Sequence, residues 1–271
     1  MTDSRPLILL TNDDGITSPG LAAAVAAVDS LGEVLIVAPR SQQTSAGRSM
    51  PQYHDGRLFE TTISRNGSTW VGYSADASPA QAVQHGVLEV ASRPVSLIVS
   101  GINFGENVGI GVTISGTVGA ALEGAALGIP SLAVSLQVDP SLHHNFDDSV
   151  DFGGALHFTR VFAAFLLNSA PMLDVDMLKV EIPASATSET PWEVTRLERA
   201  PYYIPKPAVR ENLEDQGRMG YEMAPKVGLG RPDTDVAALL RGVVSVTPLS
   251  LDMTSRIPLD ELGRLLRKGS P

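Results

Sequence analysis

The apolar positions of this chain fall into short unbroken runs, separated by polar turns and alanine-rich segments. The first run, Leu7 to Leu10, stops abruptly at Thr11, Asn12, Asp13, Asp14 and Gly15. Four consecutive apolar residues suit a strand buried on both faces of a parallel sheet. Ser18 and Pro19 then open a helix, with the cap residue directly before a first-turn proline. It continues as the alanine-rich Leu21 to Leu31 and ends near Gly32. Glu33 to Ala38 predicts a second buried strand, closed by Pro39. A βαβ unit therefore occupies the start of the chain.

Residues 50–75 predict strands and turns: RLFETTI and TWVGY flank Asn66-Gly67-Ser68, a hairpin signal. Ser78-Pro79 opens a helix predicted to run to about Val90. Val95 to Val99 is another buried strand, leading directly into the glycine- and asparagine-rich SGINFGENVGIG. Ser115-Gly116-Thr117 opens a helix over Val118 to Leu127. A strand at 131–136, a helix over about 149–168 and a strand at 177–182 follow. Beyond Pro183 prolines recur and apolar runs thin out, which sets a boundary near residue 184. Residues 1–184 form the predicted α/β core. Residues 185–271 form a β extension with strands at 192–198 and 242–249, the latter returning to the core or a partner, and a terminal amphipathic helix.

Composition narrows the classes of partner. The chain has 271 residues, 43% hydrophobic and 18% charged, with a net charge of −10. Those values fit a soluble globular protein and argue against a nucleic-acid duplex or an anionic membrane as principal partner. Small phosphorylated ligands remain compatible. There is no cysteine, so disulfides and thiolate metal sites are excluded. The opening residues MTDSRP lack a signal-peptide pattern, and no apolar segment is long enough to span a bilayer, so a cytoplasmic protein is expected.

The candidate chemistry gathers at strand ends. Ligands of open α/β sheets bind outside the carboxyl ends of the strands, where Asp13 and Asp14 fall. Adjacent carboxylates repel, and a site that keeps both ionised usually holds a cation. The polar loop Arg40 to Ser49 leaves a neighbouring strand at the same edge. Asn103 and Asn107 offer amide donors and carbonyl oxygens, and Ser115-Gly116-Thr117 offers hydroxyls and free helix N–H groups of the kind a phosphate needs. Hard oxygen donors suit Mg²⁺ or Mn²⁺ rather than zinc. The glycines fit neither a dinucleotide nor a P-loop motif. Metal-assisted phosphoester hydrolysis is the expected chemistry.

Five blocks, TNDDGITSPG, VAPRSQQTSAGRS, VSGINFGENVG, ISGTVGAALEGAALGIPSLAVSL and DTDVAALLRGVVSVTPL, resemble in order the signatures of the SurE survival-protein phosphatases, which are 5′/3′-nucleotidases. Together they cover nearly the whole chain. The resemblance implies a Rossmann-like three-layer sandwich with a C-terminal β-rich extension. It also implies a homodimer or homotetramer with exchanged C-terminal elements, acting on nucleoside monophosphates. One divalent metal ion per subunit would be held by Asp13, Asp14, Thr44 (or its neighbour Ser45) and Asn103. Phosphate would meet Asn107, Ser115, Gly116 and Thr117. Asp14 or an acid behind it would handle the proton of the attacking water. Two departures stand out: Gln81 replaces an acid of the family's GTPxDCV block, and RPDTD (Arg231 to Asp235) stands where GTDTD is usual.

Other residues carry blander expectations. His143-His144 beside Asp147-Asp148 is read as an exposed loop rather than a second metal site, and His157 as structural. Asp233 and Asp235 are expected to hydrogen-bond within a turn. Tyr202 and Tyr203 are assigned to a core or interface ahead of base stacking. Two rival classes fit the residues less well. A haloacid-dehalogenase-type phosphatase would use Asp13 as a covalent nucleophile but requires an acid where Gly15 stands. A non-enzymatic receiver-like domain requires a phospho-accepting aspartate where the VSLIV strand instead runs into Ser-Gly-Ile-Asn.

Overall fold

The structure, a computed structural model, describes residues 5–139, 142, 150–224 and 231–268. Its strands are β1 (Leu7–Thr11), β2 (Glu33–Pro39), β3 (Leu58–Arg65), β4 (Ser68–Ala75), β5 (Leu97–Phe104) and β6 (Ser131–Leu136). They continue with β7 (Met177–Ile182), β8 (Trp192–Val194), β9 (Tyr203–Lys206), β10 (Gly220–Met223) and β11 (Val244–Leu249). Nine of them form one sheet in the order β3-β4-β2-β1-β5-β6-β7-β11-β8. The pairings from β4 across to β7 are all parallel. β3 runs against β4, and β11 runs against β7. From β1 the chain works outward to β2 and β4, then crosses to β5 on the other flank. The switch point between β1 and β5 is where such sheets gather ligands.

Successive side chains of β1 take opposite faces of the sheet, and both faces are covered. Ile8 and Leu10 pack with Leu21, Val25 and Phe158 on one face, while Leu9 packs with Val37, Ala82 and Ala120 on the other. Helices α1 (Pro19–Val28) and α4 (Gly153–Asn168) cover the first face, and α2 (Pro79–His85) and α3 (Gly116–Ala126) the second. α5 (Asp235–Leu240) lies against β11 and β7. The result is the expected three-layer α/β sandwich. α6 (Leu259–Lys268) has no buried residue. Among the described residues no helix is long and apolar enough to cross a membrane.

The turn and cap signals act as their chemistry requires. Asn66 and Gly67 both have positive φ, 48° and 83°, and join β3 to β4. Ser18 caps α1 by accepting the Gly20 N–H at 3.2 Å. Gln81 completes a capping box on α2: its N–H donates to Ser78 Oγ at 3.2 Å and its Oε1 accepts the Ser78 N–H at 3.0 Å.

Some boundaries differ from the sequence reading. α2 ends at His85, and a single π turn, Gly86–Val90, carries the chain onward. β5 does not stop at Val99 but takes in Ser100 to Phe104. Its pairing with β6 shifts register between Ser100 and Asn103, a bulge that re-aims the strand's end. Gly101 makes this possible: its φ is 132°, and a Cβ there would lie 2.3 Å from the Val134 carbonyl oxygen. α4 begins at Gly153, whose N–H is taken by Asp151 Oδ1 at 2.8 Å. β9 and β10 form a separate antiparallel ribbon in the C-terminal extension, at positions where no strand was predicted.

Candidate active site

At the carboxyl ends of β1 and β5 a cavity of about 540 Å³ opens, and Asp13, Asp14, Thr44, Asn103, Asn107 and Ser115 all stand on its wall. Elements far apart in sequence thus bring six of the eight predicted site residues together. The other two, Gly116 and Thr117, stand behind Asp13.

Asp13 and Asp14 are 7% and 5% exposed. Thr117 Oγ1 donates to Asp13 Oδ1 at 2.5 Å. Gly116 lets α3 approach, because a Cβ there would sit 2.7 Å from the Asp13 Cβ and Oδ2. The Ser-Gly-Thr helix start is therefore turned onto a carboxylate, and the Thr117 hydroxyl that the sequence offers to a phosphate is engaged by Asp13. Asp14 accepts from Gln42 Nε2 at 3.2 Å and from the Phe104 N–H at 3.1 Å. No lysine or arginine among the described residues pairs with either carboxylate. Burial pushes the Asp13 carboxyl above its usual range, opposed by the Thr117 hydroxyl and nearby backbone N–H groups. Burial, and then the charge of Asp13, push Asp14 up to about 8.

This donor set fits a hard divalent cation. The two desolvated carboxylates have no positive partner among the described residues, and Thr44, Ser45 and Asn103 add oxygen donors to the same wall. Asn103 Nδ2 donates to the Gly105 carbonyl at 2.7 Å, which fixes the amide and leaves Oδ1 for a ligand. The Arg40–Ser49 loop is docked by the Gln43 N–H on the Asp13 carbonyl (2.7 Å) and the Gly47 N–H on the Ile114 carbonyl (3.0 Å). Thr44 and Ser45 both face the cavity from this loop, and Ser45 holds a left-handed φ of 62°. Ser115 caps α3 through the Val118 N–H at 3.1 Å while lining the cavity. Asn107 Nδ2 donates to Ser135 Oγ at 3.1 Å.

Apart from Glu106 and Thr113, much of the remaining wall is apolar or aromatic, including Val108, Ile110, Ile114, Tyr203, Met219 and Tyr221. Tyr203 OH donates to Glu106 Oε1 at 2.8 Å. Burial first, and then the Glu106 charge, raise the Tyr202 and Tyr203 phenols above their ordinary range. Sequence reasoning did not single out Gln42, Glu106 or Tyr221, because nothing in their local context marks them. Asp233 is half-buried and pairs with Arg196 and Arg231 at 2.7 and 3.1 Å. Asp235 differs from expectation: it is wholly buried, and its partners come from across the fold. His157 packs edge-on against Phe158 within α4. His143, His144, Asp147 and Asp148 lie outside the described residues.

Fold and cavity together define a Rossmann-like α/β protein with an acidic, oxygen-lined pocket at the sheet's switch point. Residues 8–203 match the family described as survival protein SurE, and the chain belongs to that family. It is 39% identical over 261 residues to the "5′-nucleotidase SurE" of Thermococcus gammatolerans, covering 96% of this chain and 95% of that relative. Over 269 residues it is 38% identical to the "5′-nucleotidase SurE" of Methanosarcina barkeri, covering 96% and 98%. The crystal structure of the SurE protein from Aquifex aeolicus aligns with a TM-score of 0.74 at 31% identity, covering 96% of this chain and 100% of that one.

Proposed function

We propose that this protein is a divalent-metal-dependent phosphomonoesterase that hydrolyses nucleoside 5′- and 3′-monophosphates to nucleoside and phosphate. The observation that carries the reading is the buried Asp13–Asp14 pair, which has no cationic partner among the described residues and shares the cavity wall with Asn103 and Asn107. The names of the relatives support the substrate class. Asp13, Asp14, Asn103 and the hydroxyl of Thr44 or Ser45 would hold Mg²⁺ or Mn²⁺. Such an ion, when bound, offsets the carboxylate charge, polarises a phosphoryl oxygen and acidifies water. Thr117 holds Asp13 in place, and Gln42 and the Phe104 amide hold Asp14. Asn107 and the Ser115 hydroxyl meet the phosphate. The tyrosine and aliphatic wall takes the nucleoside and keeps water from the ester. Asp14, or an acid behind it, receives the proton of the attacking water.

We also propose a homodimer or homotetramer assembled through residues 185–271. Leu259 and Leu266, seven apart on α6 and so on one face, are 68% and 65% exposed on this chain, which leaves an apolar stripe for a second copy.

The test is phosphate release from a panel of 5′- and 3′-nucleotides with Mg²⁺, with Mn²⁺ and with EDTA. Metal-dependent release, abolished by EDTA and by Asp13→Asn, is expected. Manganese binding without release from any nucleotide would retain the ion site and overturn the substrate class. Trapping of an acyl-phosphate on Asp13 would favour the haloacid-dehalogenase-type alternative.

A further inference from the structure

Lys179 of β7 is the largest wholly buried side chain of the described fold. Its ammonium lies 3.2 Å from Glu181 Oε1 and 3.0 Å from Asp235 Oδ2, and all three side chains are 0% exposed. Lys179 and Glu181 are two apart on one strand and so share a face. Asp235 arrives from the start of α5. Stability alone is a poor reason for this cluster, since apolar residues of similar volume commonly replace buried ion pairs without loss.

The remaining oxygens show what the cluster holds. Glu181 Oε2 accepts the N–H of Asn107 at 2.9 Å, and Asp235 Oδ2 accepts the N–H of Gly109 at 2.9 Å. Asp235 Oδ1 takes the N–H groups of Glu198 and Val236, each at 2.9 Å. With the Lys179 ammonium, Asp235 thus receives four donors, the full capacity of a carboxylate. No neutral side chain could accept as many. Residues 105–109, the loop leaving β5, are therefore hung from two carboxylates that a single lysine locks together.

We propose that Lys179, Glu181 and Asp235 are positioning residues for the phosphate end of the site. By fixing the backbone of Asn107 and Gly109, the clasp holds Asn107 on the cavity wall, with its Nδ2 donating to Ser135 Oγ at 3.1 Å. This also gives the late DTD segment a role: Asp235 ties the C-terminal third of the chain to the loop that meets substrate. The inference rests on the nucleotidase reading only for the identity of that substrate.

The experiment combines backbone-amide hydrogen exchange, manganese and inorganic-phosphate calorimetry, and nucleotide kinetics on the full chain and its Glu181→Gln, Asp235→Asn and Lys179→Met variants. In the unsubstituted protein the Asn107 and Gly109 amides should exchange as slowly as sheet amides. Glu181→Gln should release Asn107, and Asp235→Asn should release Gly109. In each folded variant kcat/KM and phosphate affinity should fall about tenfold or more, while manganese affinity stays within about threefold, a split expected of groups that orient a ligand indirectly. Rapid exchange of both amides in the unsubstituted protein would overturn the clasp whether or not any variant folds. A parallel fall in manganese affinity, or losses matching the unfolded fraction, would reduce it to a general structural role and overturn positioning. Should no nucleotide release phosphate, the substrate reading fails by itself, and exchange and phosphate affinity still decide the clasp.

Discussion

Thr117 and Asp13 lie 104 residues apart and are joined by a 2.5 Å hydrogen bond at the floor of the cavity. The donor is wholly buried, so no water can substitute for it. Thr117→Val keeps the shape and removes the hydroxyl, leaving Asp13 loose and its charge less well solvated. Hydrogen bonds to charged groups contribute roughly 1.5–3 kcal/mol. Manganese affinity is therefore expected to fall about 10- to 100-fold, the range for losing a partner that orients a metal ligand. Calorimetric titration checks this, and unchanged affinity would remove Asp13 from the ligand set.

Asp14 gives the metal-free protein a pH dependence of definite sign. Its folded-state pKa is raised from 3.8 to about 8, mainly by burial. Between those values the folded protein holds a proton that the unfolded chain has released. The stability linked to that proton is complete below the lower value and is lost as pH rises through the upper one. The Tm of metal-free protein should fall as pH rises from about 5 to about 8.5, and Asp14→Asn should flatten that fall. Ion binding should also release protons, read as a buffer-dependent calorimetric enthalpy. A pH-independent Tm in the unsubstituted protein would contradict the assignment.

These properties were unequally legible in the sequence. β6 and β7 have the boundaries their sequence patterns predict, because strands buried on both faces leave unbroken or nearly unbroken runs. Asp13 and Asp14 were legible because a carboxylate pair directly after such a run has one place to go in a parallel sheet. The continuation of β5 through Asn103 was hidden, since Gly-Ile-Asn imitates a turn and only the register shift against β6 shows a bulged strand. The role of Thr117 was hidden for a different reason: a helix-start hydroxyl looks the same whether it awaits a phosphate or an aspartate. Lys179 within MLKVEI gives no warning of burial, because its partner Asp235 lies 56 positions later. Tyr221 is on an exposed ribbon that lacks a core pattern and gains its meaning from the cavity it closes.

Gly116 should tolerate no side chain. A Cβ at this position would stand 2.7 Å from two atoms of Asp13 and 3.1 Å from a third, so the carboxylate or the first turn of α3 must move. Overpacking of this kind costs about 1–3 kcal/mol. Gly116→Ala is expected to lower the Tm and to weaken manganese binding together. Normal manganese affinity in this variant would show that the close approach of α3 to Asp13 is not needed for the ion.

Tyr221 tests whether the aromatic wall takes the base. It lines the cavity, its ring centroid is 5.2 Å from that of Tyr203, and it is 54% exposed, so its removal leaves the sheet and core intact. Stacking of a base on an aromatic ring contributes about 1–3 kcal/mol by alanine substitution, or roughly 5- to 150-fold in affinity. Tyr221→Ala should therefore raise KM for a nucleoside 5′-monophosphate by a factor in that range. The rise should be smaller for ribose 5-phosphate, which has the same phosphate and sugar but no base. Steady-state kinetics on the two substrates separates these cases. Equal effects on both would mean that Tyr221 shapes the cavity without contacting a base, and the nucleoside would then have to rest on Ile110 and Ile114.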